Sequence, residues 1–335
     1  MTTSELIANI EGRLGHLTLN RPAKINALSV ELIEDLNSRL TAWADDDAVE
    51  LVLLDGAGDR GLCAGGDIKA LYAGIVSGEG PGNFFTGEYA MNAAIAHYPK
   101  PFVAIMNGIT MGGGLGISGH GSVRVVTETT QIAMPETAIG LFPDVGALYL
   151  LARCPGELGS HLALTGARLD GVRAIRAGLA DYYLPSGRVP ALIERLRAGV
   201  GALDDITWGT VPAPHPTPPD SEAQWIDACY HGNRVEDILG RLDQRPEQAA
   251  IAAAATIRAM SPTSVKVTLA ALRRAATMTV DEVLAQDLSL IQHFLAHADL
   301  REGIRAQLID KDRNPQWHPA TLDAVTDQDV ASYFD

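Results

Sequence analysis

A glycine-rich stretch that precedes two proline-flanked acids, residues 101–146, constrains this chain more than any other part of its sequence. An apolar run, Phe102 to Met106, leads into an Asn-Gly turn, and four of the five residues 112–116 are then glycine. Glycine lacks a Cβ, so backbone N–H groups can approach a ligand there, and at a helix start those groups have no intrahelical partner. Glu136 and Asp144 follow. The stretch therefore predicts acid–base or nucleophilic chemistry on a group that becomes an oxyanion.

The length and the net charge limit the number of domains and the kinds of partner that this chain can have. With 335 residues the chain can form one large domain or two. Its 26 basic and 41 acidic residues give a formal net charge of −15. A nucleic-acid-binding protein or a protein that docks on anionic membranes needs a basic surface, so both partners are excluded. A small anionic ligand remains compatible, because a local group of cations can override the overall field.

The cysteines and the N-terminal residues indicate a reducing, cytoplasmic location. Three widely spaced cysteines (Cys63, Cys154 and Cys229) form neither a disulfide framework nor a metal motif. Cys63 lies in a glycine-rich loop and is a candidate nucleophile, but no histidine lies near it in sequence to favour a thiolate, so a small apolar role is preferred. No secretory signal and no apolar run of membrane-spanning length is visible.

Strands that alternate with helices predict an α/β architecture followed by a helical region. The periodicity predicts a hairpin (6–10 and 14–19), buried strands (49–54, 102–106, 123–127 and 132–134) and helices at 30–43, from about 67, and at 84–97. Beyond a proline-rich segment, helices are expected at about 221–240, 245–259, 263–276, 280–296 and 299–309. The predicted domains are an α/β core (1–203) with the active site, a linker (204–220) and a helical C-terminal region (221–335).

The glycine cluster has three interpretations. Gly114, Gly116 and Gly119 match the spacing of a dinucleotide-binding fingerprint, but a strand follows too soon for the long helix that such a site needs. Alternatively, the glycines only permit a tight turn and close helix packing. A second glycine-rich loop, Gly61 to Asp67, also follows a buried strand. Two such loops can each supply one N–H to a carbonyl oxygen, which favours the third interpretation, a two-donor oxyanion hole.

Three ordered motifs resemble the enoyl-CoA hydratase/isomerase, or crotonase, superfamily. They are CAGGDIKALY (63–72), NGITMGGGLGISGHG (107–121) and MPETAIGLFPDVG (134–146). Within that superfamily the chain looks most like the 3-hydroxyisobutyryl-CoA hydrolases, since 260–269 and 301–317 also resemble their C-terminal region. The resemblance covers nearly the whole chain. It implies a crotonase-like (ClpP/crotonase) α/β spiral of ββα turns with a helical C-terminal region.

The resemblance also implies roles for individual residues. The backbone N–H groups of Gly66 and Gly113 would hold the thioester carbonyl of an acyl-CoA substrate. Glu136 matches the catalytic acid/base or nucleophile, Asp144 matches an additional carboxylate of the hydrolases, and Glu88 matches a substrate-contacting glutamate. From the residues alone, Glu88 would be interpreted as an exposed charge on a helix and Glu136 as a carboxylate at a helix start or in a loop.

Binding of the CoA moiety is likewise implied rather than derived. The implied contacts are Lys24 and the loop residues Ala64, Gly65, Gly66, Asp67 and Ile68, with Arg21 and Lys69 in loops near the nucleotide end. Coenzyme A is part of the substrate, so no separate cofactor and no metal are expected. The resemblance further implies self-association through the helical region, while the net charge argues against a nucleic-acid or membrane partner.

One departure from the superfamily bears on the reaction. Position 116 is glycine, where hydratases of this type carry a catalytic glutamate, so hydration of a double bond loses one of two carboxylates. Hydrolysis by Glu136 and Asp144 is therefore expected, and the resemblance implies that the substrate is (S)-3-hydroxyisobutyryl-CoA, whose hydrolysis is a step of valine breakdown. An enoyl-CoA hydratase or isomerase that uses Glu136 alone, and a catalytically silent CoA-binding scaffold, are the alternatives. Covalent attack by Glu136 and activation of water by Glu136 both remain open.

Overall fold

The computed structural model describes residues 4–203 and 220–335, so the predicted linker at 204–220 lies, except for its last residue, outside the described residues. Most strands follow the predicted apolar runs. In chain order they are β1 (Leu6–Glu11), β2 (Leu14–Leu19), β3 (Leu51–Gly56), β4 (Phe102–Met106), β5 (Ile109–Met111), β6 (Val123–Val126), β7 (Gln131–Ala133), β8 (Leu169–Asp170) and β9 (Tyr182–Tyr183).

The helices occupy most of the remaining described chain. They are α1 (Val30–Ala44), α2 (Ile68–Ser77), α3 (Phe84–Ala96), α4 (Gly113–Gly119), α5 (Ala147–Leu151), α6 (Leu158–Thr165), α7 (Gly171–Arg176), α8 (Val189–Leu196), α9 (Asp220–Tyr230), α10 (Val235–Leu242), α11 (Gln248–Ala259), α12 (Pro262–Ala275), α13 (Val280–Ala296), α14 (Ala298–Ile304) and α15 (Asp327–Ala331). The single helix predicted at 221–240 is wrong. Gly232, with φ of +91°, separates α9 from α10, because a left-handed residue ends a helix.

The described chain divides into two compact units whose segments alternate along the sequence. The first contains residues 4–67, 86–133 and 168–203, and the second contains 68–85, 134–167 and 220–335. This division differs from the sequential domains drawn from the sequence, because 68–85 and 134–167 group with the C-terminal helices. The order of segments along a chain does not determine which segments share a core.

The first unit is built on two sheets. A six-stranded sheet has the order β1-β2-β3-β4-β6-β9, antiparallel between β1 and β2 and parallel elsewhere. A three-stranded sheet has the order β5-β7-β8. All of β4 and the first four residues of β3 are apolar and buried, as expected for parallel strands that are covered on both faces. Leu53, Val103 and Val125 form part of one fully buried core.

The second unit is helical. Its core joins Leu164 of α6 to Trp225, Ile238 and Ile257 of later helices. Helix α13 begins at the predicted residue because Thr279 and Glu282 form a reciprocal capping box, which satisfies two N–H groups at the helix start. Among the described residues, no helix combines the length and the apolar composition needed to cross a bilayer.

Candidate active site

The first glycine-rich loop, residues 61–66, is fixed on two sides by backbone hydrogen bonds. Leu28 donates its N–H to the Gly65 carbonyl (2.8 Å), and Met111 donates to the Cys63 carbonyl (3.0 Å). Gly65 has a φ of +102°, a conformation that other residues rarely adopt. The loop is therefore pinned at positions 63 and 65, next to the Gly66 amide.

The second glycine-rich segment turns strand β5 into the short helix α4. Gly112 caps the helix with a φ of +51°, and every residue of α4 is buried. Gly113 is the first helical residue, so its N–H has no carbonyl partner within the helix. A Cβ on Gly114 would lie 2.3 Å from the Cys63 carbonyl oxygen, so the two glycine-rich segments are in close contact. The short α4, followed at once by β6, does not support the dinucleotide interpretation.

Glu88 lies against this second segment. It projects from α3 and is only 2% exposed, so the interpretation of an exposed helix charge is wrong. A Cβ built on Gly113 would lie 2.2 Å from Glu88 Oε1 and 2.9 Å from Leu28 Cδ1. The first unit thus brings Glu88 and Gly113 together, and only glycine leaves room for the carboxyl.

The second unit contains the acid pair. Glu136 opens a 3₁₀ turn, Glu136–Ile139, and is 7% exposed, while Asp144 is 5% exposed. Burial, and then the negative charge of Asp144, raise the pKa of Glu136 well above its ordinary value. Glu136 Oε2 has no hydrogen-bond partner among the described residues. Glu136 is therefore suited to hold a proton at a higher pH than an exposed glutamate does.

Sequence reasoning missed a third buried acid in the same unit. Asp287 of α13 is completely buried, and its Oδ2 accepts the Gly146 N–H at 2.8 Å. Burial raises the pKa of Asp287 well above its ordinary value; the Gly146 hydrogen bond opposes this, and the Asp144 charge adds to it. The spacing of apolar residues in the sequence could have indicated that position 287 is buried. Asp287 occupies the apolar face of α13, with the buried side chains of Val283, Leu284, Leu290, Ile291 and Phe294.

Of the three cations implied for CoA binding, Lys69 lies on α2 and not in a loop, and the other two are already engaged. Asp67 Oδ2 accepts both Arg21 Nη2 (2.9 Å) and Lys24 Nζ (2.8 Å). The Arg21 side chain is 11% exposed, whereas that of Lys24 is 57% exposed. Lys24 therefore remains accessible to a phosphate, while Arg21 mainly joins the N-terminal loop to the first glycine-rich loop.

The three cysteines are free and buried. Burial raises the pKa of the Cys63 thiol to about 12, so the thiol stays protonated and the nucleophile hypothesis for it fails. Throughout residues 4–203 and 220–335, no cluster of three or more His, Cys, Asp or Glu side chains is arranged to hold a metal ion.

The raised pKa of Glu136 predicts a pH effect on stability. Because the folded state binds its proton more tightly than the unfolded chain, this group makes the free energy of unfolding fall as pH rises from its ordinary pKa toward the raised one. Glutamine does not titrate. The free energy of unfolding of Glu136→Gln relative to that of wild type should therefore be greater at pH 8 than at pH 5. Urea unfolding at both pH values measures this difference. An equal difference at the two pH values would contradict this prediction.

A model of the enoyl-CoA hydratase/isomerase family matches residues 14–334. The mitochondrial 3-hydroxyisobutyryl-CoA hydrolase of Rattus norvegicus is 42% identical over 99% of this chain and 89% of its own length, and that of Homo sapiens is 39% identical over 98% and 88%.

Two solved structures are also similar over 99% of this chain and 97% of their own. One is described as a carnitinyl-CoA dehydratase from Mycobacterium thermoresistibile, with 45% identity and a TM-score of 0.94. The other is described as an enoyl-CoA hydratase from Rhodobacter sphaeroides 2.4.1, with 39% identity and a TM-score of 0.91.

Proposed function

We propose that this chain, which belongs to the enoyl-CoA hydratase/isomerase family, hydrolyses the thioester of 3-hydroxyisobutyryl-CoA to give 3-hydroxyisobutyrate and free CoA. The curated relatives from rat and human carry the name of this activity. Water supplies the oxygen that joins the acyl carbon, the carbon–sulfur bond breaks, and the sulfur leaves as the thiol after it receives a proton.

Two sets of residues take the two chemical roles. Backbone N–H groups of Gly66 and Gly113 are assigned to the carbonyl oxygen, because fixed N–H dipoles stabilise the negative charge that develops there. Glu136 and Asp144 are assigned to attack and proton transfer. Glu136 attacks the carbonyl or activates the water that does, and Asp144 binds the substrate hydroxyl or assists proton transfer to the departing sulfur. Glu88 is assigned to the substrate.

The observation that carries the hydrolase assignment is the glycine at position 116. It lies in α4, whose residues are all buried, and it offers no carboxyl to orient a water molecule for addition to a double bond. The acids available are Glu136 and Asp144, which are buried and electrostatically coupled. That pair is suited to breaking a thioester, since one group is needed to attack the carbonyl or activate water, and another to assist protonation of the departing sulfur.

Dehydration or hydration of an acyl-CoA is the second candidate. The observation that favours it is the naming of the two similar solved structures as a dehydratase and a hydratase. Such an activity leaves the thioester intact and changes only the acyl chain. A single assay of the free thiol separates it from hydrolysis.

The test measures two products in parallel from the full chain. Release of free CoA thiol is followed with 3-hydroxyisobutyryl-CoA, and loss of the conjugated double bond is followed with crotonyl-CoA. We expect rapid thiol release and little hydration. Hydration of crotonyl-CoA without thiol release from either ester would overturn the hydrolase and support the second candidate, whereas no reaction with either substrate would favour a silent CoA-binding protein.

The remaining expectations concern small-molecule requirements, self-association and cellular location. We propose that the acyl-CoA substrate is the sole small-molecule requirement, so dialysis against a chelator should leave the rate unchanged. We also propose that the chain self-associates, which light scattering after gel filtration tests. A cytoplasmic location is proposed from the acidic charge and the three free, buried cysteines, although the rat and human relatives are named as mitochondrial.

A further inference from the structure

A completely buried carboxyl in the second unit has one strong contact. Asp287 lies among apolar side chains on α13 and is 0% exposed. Its Oδ2 accepts the N–H of Gly146 at 2.8 Å, across 141 positions of sequence, while its Oδ1 has no hydrogen-bond partner among the described residues. A buried acid with one oxygen that makes no hydrogen bond is costly to keep, so its presence requires an explanation beyond packing.

The contact falls on the turn that carries Asp144. Ala147 donates its N–H to the Asp144 carbonyl (2.8 Å), which closes the turn 144–147. Within it, Val145 has a φ of +55° and Gly146 a φ of +72°. A β-branched residue in the left-handed region is a genuine outlier, and such a conformation persists only where surrounding contacts enforce it. The Asp287–Gly146 hydrogen bond is such a contact.

We propose that Asp287 is a positioning residue, which holds the strained turn 144–147 through the Gly146 N–H and thereby directs the Asp144 carboxyl toward its partner Glu136. The proposal rests on the hydrolysis proposed above, in which those two carboxyls act. Asp287 itself touches no reacting atom in this scheme.

The electrostatic surroundings of Asp287 are consistent with the proposed positioning role. Burial raises the pKa of Asp287 and so favours its protonated form. The negative charge of Asp144 acts in the same direction. A neutral Asp287 can accept the Gly146 N–H through its carbonyl oxygen without placing a further negative charge beside the acid pair. Asparagine has the same shape and the same acceptor oxygen, so it should substitute for this function.

The first test compares Asp287→Asn with Asp287→Ala in the full-length enzyme. Asparagine should retain most of the rate of thiol release, whereas alanine leaves Gly146 without its acceptor. A displacement of about 1 Å in a reacting group can cost about 100-fold in rate, so Asp287→Ala should lower kcat by about that factor with KM little changed. If the alanine variant does not fold, Asp287→Ser, whose shorter side chain cannot reach the Gly146 N–H, should give the same result.

A matched control is available in the same unit. Asp227 Oδ1 accepts the Glu157 N–H at 2.8 Å, across 70 positions of sequence and outside residues 134–147. Asp227→Ala therefore removes an aspartate that accepts a backbone N–H away from the acid pair, and should lower the melting temperature without a comparable loss of kcat. Equal losses of kcat in the two alanine variants would overturn the proposal, and so would an Asp287→Asn variant as slow as Asp287→Ala.

A second readout needs no substrate. Neither Asp287→Asn nor Asp287→Ala has a titrating group at 287, so a difference between them reports on the acid pair. If Asp144 moves away from Glu136 in the alanine variant, the pKa of Glu136 falls toward its ordinary value. The loss of unfolding free energy between pH 5 and pH 8 should then be smaller in Asp287→Ala than in Asp287→Asn. Identical pH dependences would overturn the positioning role, even if the wild-type chain proved inactive on the thioester.

Discussion

Glu136→Gln should lower the rate of CoA thiol release by about 10²–10⁴-fold, the usual contribution of a positioned acid or base. Glutamine matches the shape of the protonated glutamic acid, which the burial of this side chain favours, so the fold should be retained. It can neither attack the thioester nor accept a proton from water. We expect the loss to appear in kcat, with KM for 3-hydroxyisobutyryl-CoA nearly unchanged, in steady-state measurements of free thiol.

The control for this variant is Glu128→Gln. Glu128 lies in the first unit, where its carboxyl accepts the Ser186 N–H at 2.9 Å, whereas the acid pair belongs to the second unit. It should keep the wild-type rate. A Glu136→Gln enzyme with wild-type kcat would remove Glu136 from the mechanism and leave Asp144 as the remaining carboxyl of the pair.

Gly113→Ala should reduce kcat/KM by about 10²–10³-fold, the effect seen when one oxyanion donor is lost. The added methyl group would lie 2.2 Å from Glu88 Oε1 and 2.9 Å from Leu28 Cδ1, so the carboxyl or the backbone at Gly113 must move. Movement of the backbone misdirects the N–H, and movement of Glu88 disturbs the group assigned to the substrate. The measurement is the same thiol assay, with circular dichroism to confirm that the fold is kept.

A second glycine in a helix provides the comparison. Among the described residues, no atom outside the adjoining residues and the backbone of α10 itself lies within 4 Å of the position that a Cβ on Gly240 would take. Gly240→Ala should therefore keep full activity and gain about 0.5–1 kcal/mol of stability, because alanine favours the helix. If Gly113→Ala were as active as Gly240→Ala, the space around Gly113 would have no role in catalysis.

Local signals explain which parts of the fold the sequence could predict. The apolar run 102–106 became β4 with the predicted bounds, and Ser29 caps α1 through a hydrogen bond from Leu32, as expected for a serine before a helix. Helix α13 also has its predicted bounds, 280–296. Each depends on neighbouring residues alone. The family resemblance and the fold class were likewise accessible, since three motifs with consistent separations carried them.

The missing parts depend on contacts between distant residues. The bond from Gly146 to Asp287 spans 141 positions, and no periodicity reports such a pairing. The burial of Glu88 was equally invisible, because α3 has no marked apolar face that would place position 88 inside. The helix break at Gly232 is different, because a glycine that can end a helix is a local signal in the sequence, and the prediction of one helix at 221–240 did not use it. Roles for Gly66, Gly113, Glu88, Glu136 and Asp144 remain predictions until the variants are measured.

The alternation of segments between the two units has a consequence for biosynthesis. Within the described residues the chain passes from one unit to the other four times, at 67/68, 85/86, 133/134 and 167/168. Residues 134–167, with both catalytic candidates, leave the ribosome well before the helices that complete their core. At about 5–20 residues per second, Leu164 waits roughly 5–20 seconds for Ile257 and its neighbours. The nascent segment therefore exposes apolar surface until those later helices have been made, which makes it a candidate client for chaperones.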